Sequence, residues 1–176
     1  MNKNQERSFI ATMKTNHGNL HLPKMTYGKT TLIKKLDYDI WSFDANMDIS
    51  NYLCVKTDAP ANRIKFYFDC TDDYYSIYLL TDGLYHRYAL SNEHQDFISA
   101  FRYDHEQTTY NLLDGNGQIV TLDQINTDTP VLRIQTRGGR TLSARGNTKV
   151  GSLVCTGKVS ARPLDFKFEI LSRGAA

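Results

Sequence analysis

Between Val131 and Leu171 one pattern fixes most of what this chain can fold into. A β-branched run, VLRIQT, meets the turn RGGR, a second run, TLSARG, leaves it, and an aromatic-x-aromatic run, DFKFEIL, closes the unit after a valine-rich stretch. The same grammar occurs twice before. Phe9 to Met25 (FIATMKT, NHG, NLHLPKM) turns at Gly18 and is closed by Trp41 and Phe43, while Tyr74 to Leu90 (YYSIYLL, TDG, LYHRYAL) turns at Gly83 and is closed by Phe101 and Tyr103. Turn glycines at Gly18, Gly83 and Gly139 recur at about a third of the chain length, which predicts a pseudo-threefold all-β domain. That is an architecture and not an activity.

The 176 residues suit one globular domain with a full core, and the aromatic usage (11 Tyr and 8 Phe against one Trp) favours strands. No stretch reaches the roughly 18 apolar residues of a membrane helix, and the amino terminus, MNKNQERSF, lacks the apolar core of a secretory signal. A chain that stays in the cytoplasm, or is released without a classical signal, is expected. Cys54, Cys70 and Cys155 match no zinc spacing, so they read as buried thiols, with a Cys54 to Cys70 bridge across one hairpin as the other option. No cofactor is expected.

Two further elements overfill the threefold pattern. NYLCVKT, DAPAN and RIKFYFDC read as one extra hairpin and TTYNLL, DGNG and QIVTL as another. TTLIKKL and IWSFDAN make a pair of strands around DYD. The run SNEHQDFISAF from Ser91 fits a short capped helix or a strand.

Candidate chemistry is sparse. DGNGQI has the look of the middle of a calcium loop, but in that alignment the first ligand position falls on Leu112 and the last on Asp123, so it reads as a hairpin turn. His17 and His21 straddle a turn glycine without a third ligand, and read as surface residues. No nucleophile motif is present, and Asp69, Asp72, Asp73 and Glu106 are the carboxylates from which a hydrolase pair would be drawn. Tyr74, Tyr75, Tyr78, Tyr85, His86 and Tyr88 cluster around one hairpin, and by alternation some face solvent. Tyr85 and Tyr88 with Asp82 are the candidate sugar-stacking surface, the alternatives being tyrosines packed on the sheet faces with their hydroxyls at the rim, or a protein interface.

Charge is asymmetric. Residues 131–176 hold nine Lys or Arg against Asp165 and Glu169, a net +7, which leaves 12 basic and 17 acidic residues, a net −5, in the rest. Arg137 and Arg140 at the RGGR turn, with Arg145 beyond it, are expected to meet anionic ligands such as sulfated glycans, acidic headgroups or acidic proteins. Nucleic acid is disfavoured by the acidic remainder.

With GGRTLSARGNTKV followed by DFKFEI, the carboxy-terminal unit resembles one repeat of the β-trefoil domains of fascin-like and lectin-like proteins. The first unit keeps Gly18, Leu20, Trp41 and Phe43 and the second keeps Gly83 and Phe101, but neither has the Leu-Ser-Ala segment. The ricin-type Gln-x-Trp signature is absent, since Asp39 and Ile40 precede Trp41. The resemblance implies a trefoil-like barrel with extra hairpins, a β-sandwich being the alternative. For function it implies a non-enzymatic module that binds carbohydrate or glycoconjugate. A protein-directed inhibitor, toxin component or cytoskeletal binder comes second, and a carboxylate hydrolase third.

Overall fold

The computed structural model describes residues 2–34, 46–60, 64–92, 96–102, 107–157 and 162–174. Trp41, Phe43, Tyr103 and Glu106 lie outside the described residues.

A short helix, α1 (Lys3–Arg7), opens the chain, held by a reciprocal cap in which Asn2 Oδ1 accepts from the Gln5 N–H and Gln5 Oε1 from the Asn2 N–H. β1 (Phe9–Thr15) turns through Asn16 and His17 into β2 (Gly18–His21). Pro23, preset for a first helical turn, starts α2 (Pro23–Tyr27), and Gly28 in the left-handed conformation ends it. β3 (Leu32–Lys34) and β4 (Asn46–Asp48) form a separate two-stranded sheet. Next come β5 (Cys54–Lys56), β6 (Lys65–Thr71), β7 (Tyr74–Leu79), β8 (Ala89–Asn92) and β9 (Ile98–Phe101). The remainder supplies β10 (Tyr110–Leu113), β11 (Ile119–Val120), a 3-10 turn (Leu122–Gln124), β12 (Val131–Thr136), β13 (Leu142–Thr148), β14 (Gly151–Thr156), β15 (Arg162–Pro163) and β16 (Phe166–Arg173).

Six strands close on themselves. β1 pairs with β6, β6 with β7, β7 with β10, β10 with β12, β12 with β16, and β16 with β1, all antiparallel. The all-β expectation holds, and the closed barrel with additional strands replaces the sandwich alternative. Closure leaves no free edge within the ring. Between ring strands the chain makes three excursions, each containing an antiparallel pair: β2 with β5, β8 with β9, and β13 with β14. Gly18, Gly83 and Gly139 lie in the first turn of the three excursions.

The closing strands differ from the sequence expectation. The first excursion returns through β6, out of the stretch that reads as an independent hairpin, and β5 and β6 do not pair with each other: β5 lies between β2 and β14, β6 between β1 and β7. The second returns through β10, whereas Phe101 ends β9 inside the excursion. Alternation specifies which face is buried but not which strand is the partner, and here the partner is remote in sequence. Of the run from Ser91, Ser91 and Asn92 end β8 and Ile98–Phe101 form β9, with Leu90 opposite Ala100 and Ser91 opposite Ser99; residues 93–95 lie outside the described residues.

The interior follows the two-residue period. Phe66, Phe68 and Cys70 of β6, Tyr75, Ile77 and Leu79 of β7, and Phe166, Phe168 and Ile170 of β16 point inward. Phe9 and Phe68 stack at 4.4 Å between centroids, with Phe168 and Tyr75 tilted or edge-on against them. A smaller cluster of Ile33, Ile49, Cys54, Phe97, Val150, Leu153 and Cys155 lies under the excursions. All three cysteines are buried free thiols, which removes the Cys54 to Cys70 bridge, and burial pushes the Cys54 thiol far up.

Candidate functional site

The first and third excursions meet along β5. β2 pairs with one side of it (Leu20 opposite Val55, His21 opposite Cys54) and β14 with the other (Ser152 opposite Val55, Leu153 opposite Cys54). Two glycines permit this approach. A Cβ on Gly18 would stand 2.6 Å from the Lys56 carbonyl carbon and oxygen, and one on Gly151 would stand 2.2 Å from the Val55 carbonyl oxygen. Both also have positive φ, +133° and +104°. Between Arg145, which still pairs with Leu153, and Thr148 the β13–β14 register slips by a bulge, which takes Gly146 and Asn147 out of the regular ladder. The result is a cleft of about 790 Å3 between the β1–β2 turn, β5, the β13–β14 hairpin and β15.

Its chemistry is one-sided. His17, Lys56, Arg145 and Arg162 line it together with Asn16, Thr57, Asn147 and Ser152, and among the described residues no Asp, Glu, Phe, Tyr or Trp side chain does. Arg162 Nη2 donates to Ser152 Oγ at 3.0 Å, and Ser152 Oγ donates to the Gly146 carbonyl at 2.8 Å, so the guanidinium is tied to the bulge. Lys56 Nζ lies 3.4 Å from Asp58 Oδ1, a solvent-exposed contact that contributes little. Arg145 is half-buried in the cleft wall and Arg162 exposed at its rim.

His21 lies beneath, fully buried instead of on the surface where the sequence suggested it. A carbonyl can only accept, so the 2.8 Å contact with Val150 O fixes the proton on Nε2, and Nδ1 faces Thr26 Oγ1 at 3.2 Å. Burial holds the imidazole pKa below its ordinary value, partly offset by the Val150 bond, and the nearby Lys56 charge lowers it further. A neutral His21 thus ties β2 to the β13–β14 turn that forms one wall.

Of the six residues singled out from the sequence, Arg145 lines this cleft; Asp82, Tyr85, Tyr88, Arg137 and Arg140 do not. Arg137 and Arg140 are exposed at the RGGR turn. There Arg137 stacks over the Tyr74 ring at 4.2 Å and Arg140 Nη1 pairs with Asp96 Oδ1 at 2.8 Å. Asp82 is exposed, but Tyr85 is only 2% exposed, with its hydroxyl donating to Asn51 Oδ1 and its ring edge-on to Tyr88. That corrects the picture of Tyr85 as an open stacking face. The segment read as a strand, LYHRYAL, is a multiple turn until Tyr88, closed by Tyr88 N to Tyr85 O and with Arg87 at φ +61°, so strand alternation does not apply to it. DGNG is the β10–β11 turn, in which Asp114 Oδ1 accepts from the amides of Asn116 and Gln118. Asp69, Asp72 and Asp73 sit on β6 and its turn into β7, outside the cleft.

Sequence reasoning missed His17, Lys56 and Arg162 as members of one site. The signal within reach was Gly18 and Gly151, glycines next to polar and basic residues in turns. No protein-family model, curated protein or solved structure matches the chain.

Proposed function

We propose that this chain is a non-enzymatic binding module of β-trefoil type that takes a glycan or glycoconjugate in the cleft between the β1–β2 turn and the β13–β14 hairpin. The trefoil reading is supported by connectivity: six ring strands are visited in pairs, and each of three excursions begins with a glycine turn and carries one hairpin pair. The observation that carries the ligand reading is the cleft itself. Its 790 Å3 falls within the range of about 300–1,000 Å3 typical of small-ligand sites, and Asn16, Thr57, Asn147 and Ser152 offer the amide and hydroxyl partners that sugar hydroxyls need. The binding reading, as opposed to hydrolysis, rests on the acidic residues of β6 lying apart from that lining.

A glycan array probed with wild type and with Asn147→Trp tests the assignment. Asn147 is exposed at the cleft, so an indole there fills the space without touching the barrel core. The expected result is a set of retained glycans that N147W no longer holds at unchanged melting temperature. Retention of no glycan, or equal retention by N147W, refutes the proposal.

A further inference from the structure

Resting on the glycan reading above, we infer that the ligand is a sulfated polysaccharide, recognised through its sulfate esters by Arg145, Arg162, Lys56 and His17. Neutral sugars are held largely by stacking their apolar faces on Phe, Tyr or Trp rings, and none of these lines the cleft among the described residues. Charge must therefore supply what stacking does not. Four nitrogen bases converge on a concave space with no lining carboxylate among the described residues, an arrangement in which guanidinium forks and an ammonium meet tetrahedral anions.

The source of those anions is narrowed by the same surroundings. Single-stranded nucleic acid is also held by stacking its bases on aromatic platforms, and among the described residues no Phe, Tyr or Trp lines the cleft to supply one. A membrane surface is flat, whereas these cations sit inside a cleft walled by a hairpin and a turn. A flexible chain bearing closely spaced sulfates can enter it and present anions to several walls at once. The exposed arginines elsewhere in the basic third are already engaged: Arg140 with Asp96, Arg133 with Asp165 at 2.8 Å, and Arg137 on Tyr74.

The test measures retention on immobilised heparin and on chemically desulfated heparin as sodium chloride is raised, with wild type, R145Q/R162Q, K56E and R137Q/R140Q. Urea melts accompany each variant, and K56E, at a half-buried strand end, serves if the double variant folds poorly. Wild type is expected to be held by heparin and released by salt, and to pass through the desulfated matrix. Losing charge-assisted hydrogen bonds at two guanidinium groups should weaken heparin binding roughly 100-fold or more. K56E should move the same way, and R137Q/R140Q should elute with wild type.

The inference is overturned if desulfated heparin binds equally, if R145Q/R162Q and K56E elute with wild type, or if R137Q/R140Q loses as much. Duplex DNA or phosphatidylserine vesicles held as tightly as heparin through the same residues would overturn it as well. Array retention of neutral glycans without preference for sulfated ones refutes the sulfate assignment and leaves the glycan reading standing. Retention of no glycan of either kind refutes both.

Discussion

Tyr85 separates a structural tyrosine from a ligand-stacking one, and the two roles predict opposite behaviour. Its ring is buried beside Tyr88 at 5.3 Å, and its hydroxyl is donated to Asn51 Oδ1, which links the β7–β8 turn to the first excursion. Burial pushes the phenol up to about 12, with the Tyr88 and Asp48 charges adding to the effect, so the hydroxyl stays a donor at any working pH. Tyr85→Phe keeps the ring and gives up only the hydrogen bond to the exposed Asn51, whose oxygen water can then solvate, at a cost of about 0.5–1.5 kcal/mol. Tyr85→Ala removes the ring too, at about 3–5 kcal/mol, of which the edge contact with Tyr88 accounts for roughly 0.5–1.5 kcal/mol.

Urea unfolding monitored by fluorescence reads both numbers. With a slope of about 2 kcal/mol per molar urea, the alanine variant should unfold roughly 2 M earlier and the phenylalanine variant about 0.5 M earlier. Heparin retention of Tyr85→Phe should equal wild type in conditions where it is folded. The reasoning fails if Tyr85→Ala unfolds within about 0.5 kcal/mol of wild type, the scale of a surface substitution, or if Tyr85→Phe loses ligand while keeping its stability.

Gly18→Ala is expected to cost about 2 kcal/mol or more, because the new Cβ meets Lys56 backbone at 2.6 Å in a positive-φ conformation, while Gly115→Ala, with nothing within 4 Å of its Cβ, should cost under about 0.5 kcal/mol; paired thermal melts compare them. For His21 the folded pKa lies below the unfolded value of about 6.5, so between the two the unfolded chain binds more protons, and the stability the neutral imidazole contributes is complete above pH 6.5 and declines as pH falls towards the folded pKa. Denaturation midpoints between pH 7.5 and 5 should accordingly drop for wild type and drop less for His21→Gln; equal slopes would show that other groups carry the acid limb.

Much of the architecture was legible because a two-residue period and turn glycines are local signals. β16 closed the last excursion with Phe166 and Phe168 inside, the face its aromatic-x-aromatic pattern assigns. Partner choice was not local. RIKFYFDC shows an inward face of Phe66, Phe68 and Cys70 equally well in a hairpin with its predecessor or between β1 and β7, and only the closed ring buries that face against Phe9 and Phe168. The helix α1 was missed because Asn2 and Gln5 cap it from a stretch with no buried residue of its own, and docking supplies the rest: Asn4 Oδ1 accepts from Asp72 N, and Arg7 pairs with Asp123 at 2.8 Å.

The charge count misled for a related reason, since it sums residues by position in the chain while the fold sums them by position in space. Two charges of the +7 in the last third are answered by acids from elsewhere in the chain, Arg140 by Asp96 and Arg173 by Asp128 at 2.9 Å, while Arg133 meets Asp165, which that sum already contains. Conversely, the acidic remainder delivers His17 and Lys56 to the cleft, on a turn and a strand that only the close approach at Gly18 and Gly151 brings against Arg145 and Arg162. A glycine that touches another strand's backbone is thus the feature that converts scattered cations into one electrostatic site. Enlarging it should scatter them again: Gly151→Ala, whose Cβ would stand 2.2 Å from Val55 O, should weaken heparin retention without removing a single charge. Retention equal to wild type in a folded Gly151→Ala would mean that the cations bind independently of the cleft's shape, and that charge number alone, not convergence, holds the ligand.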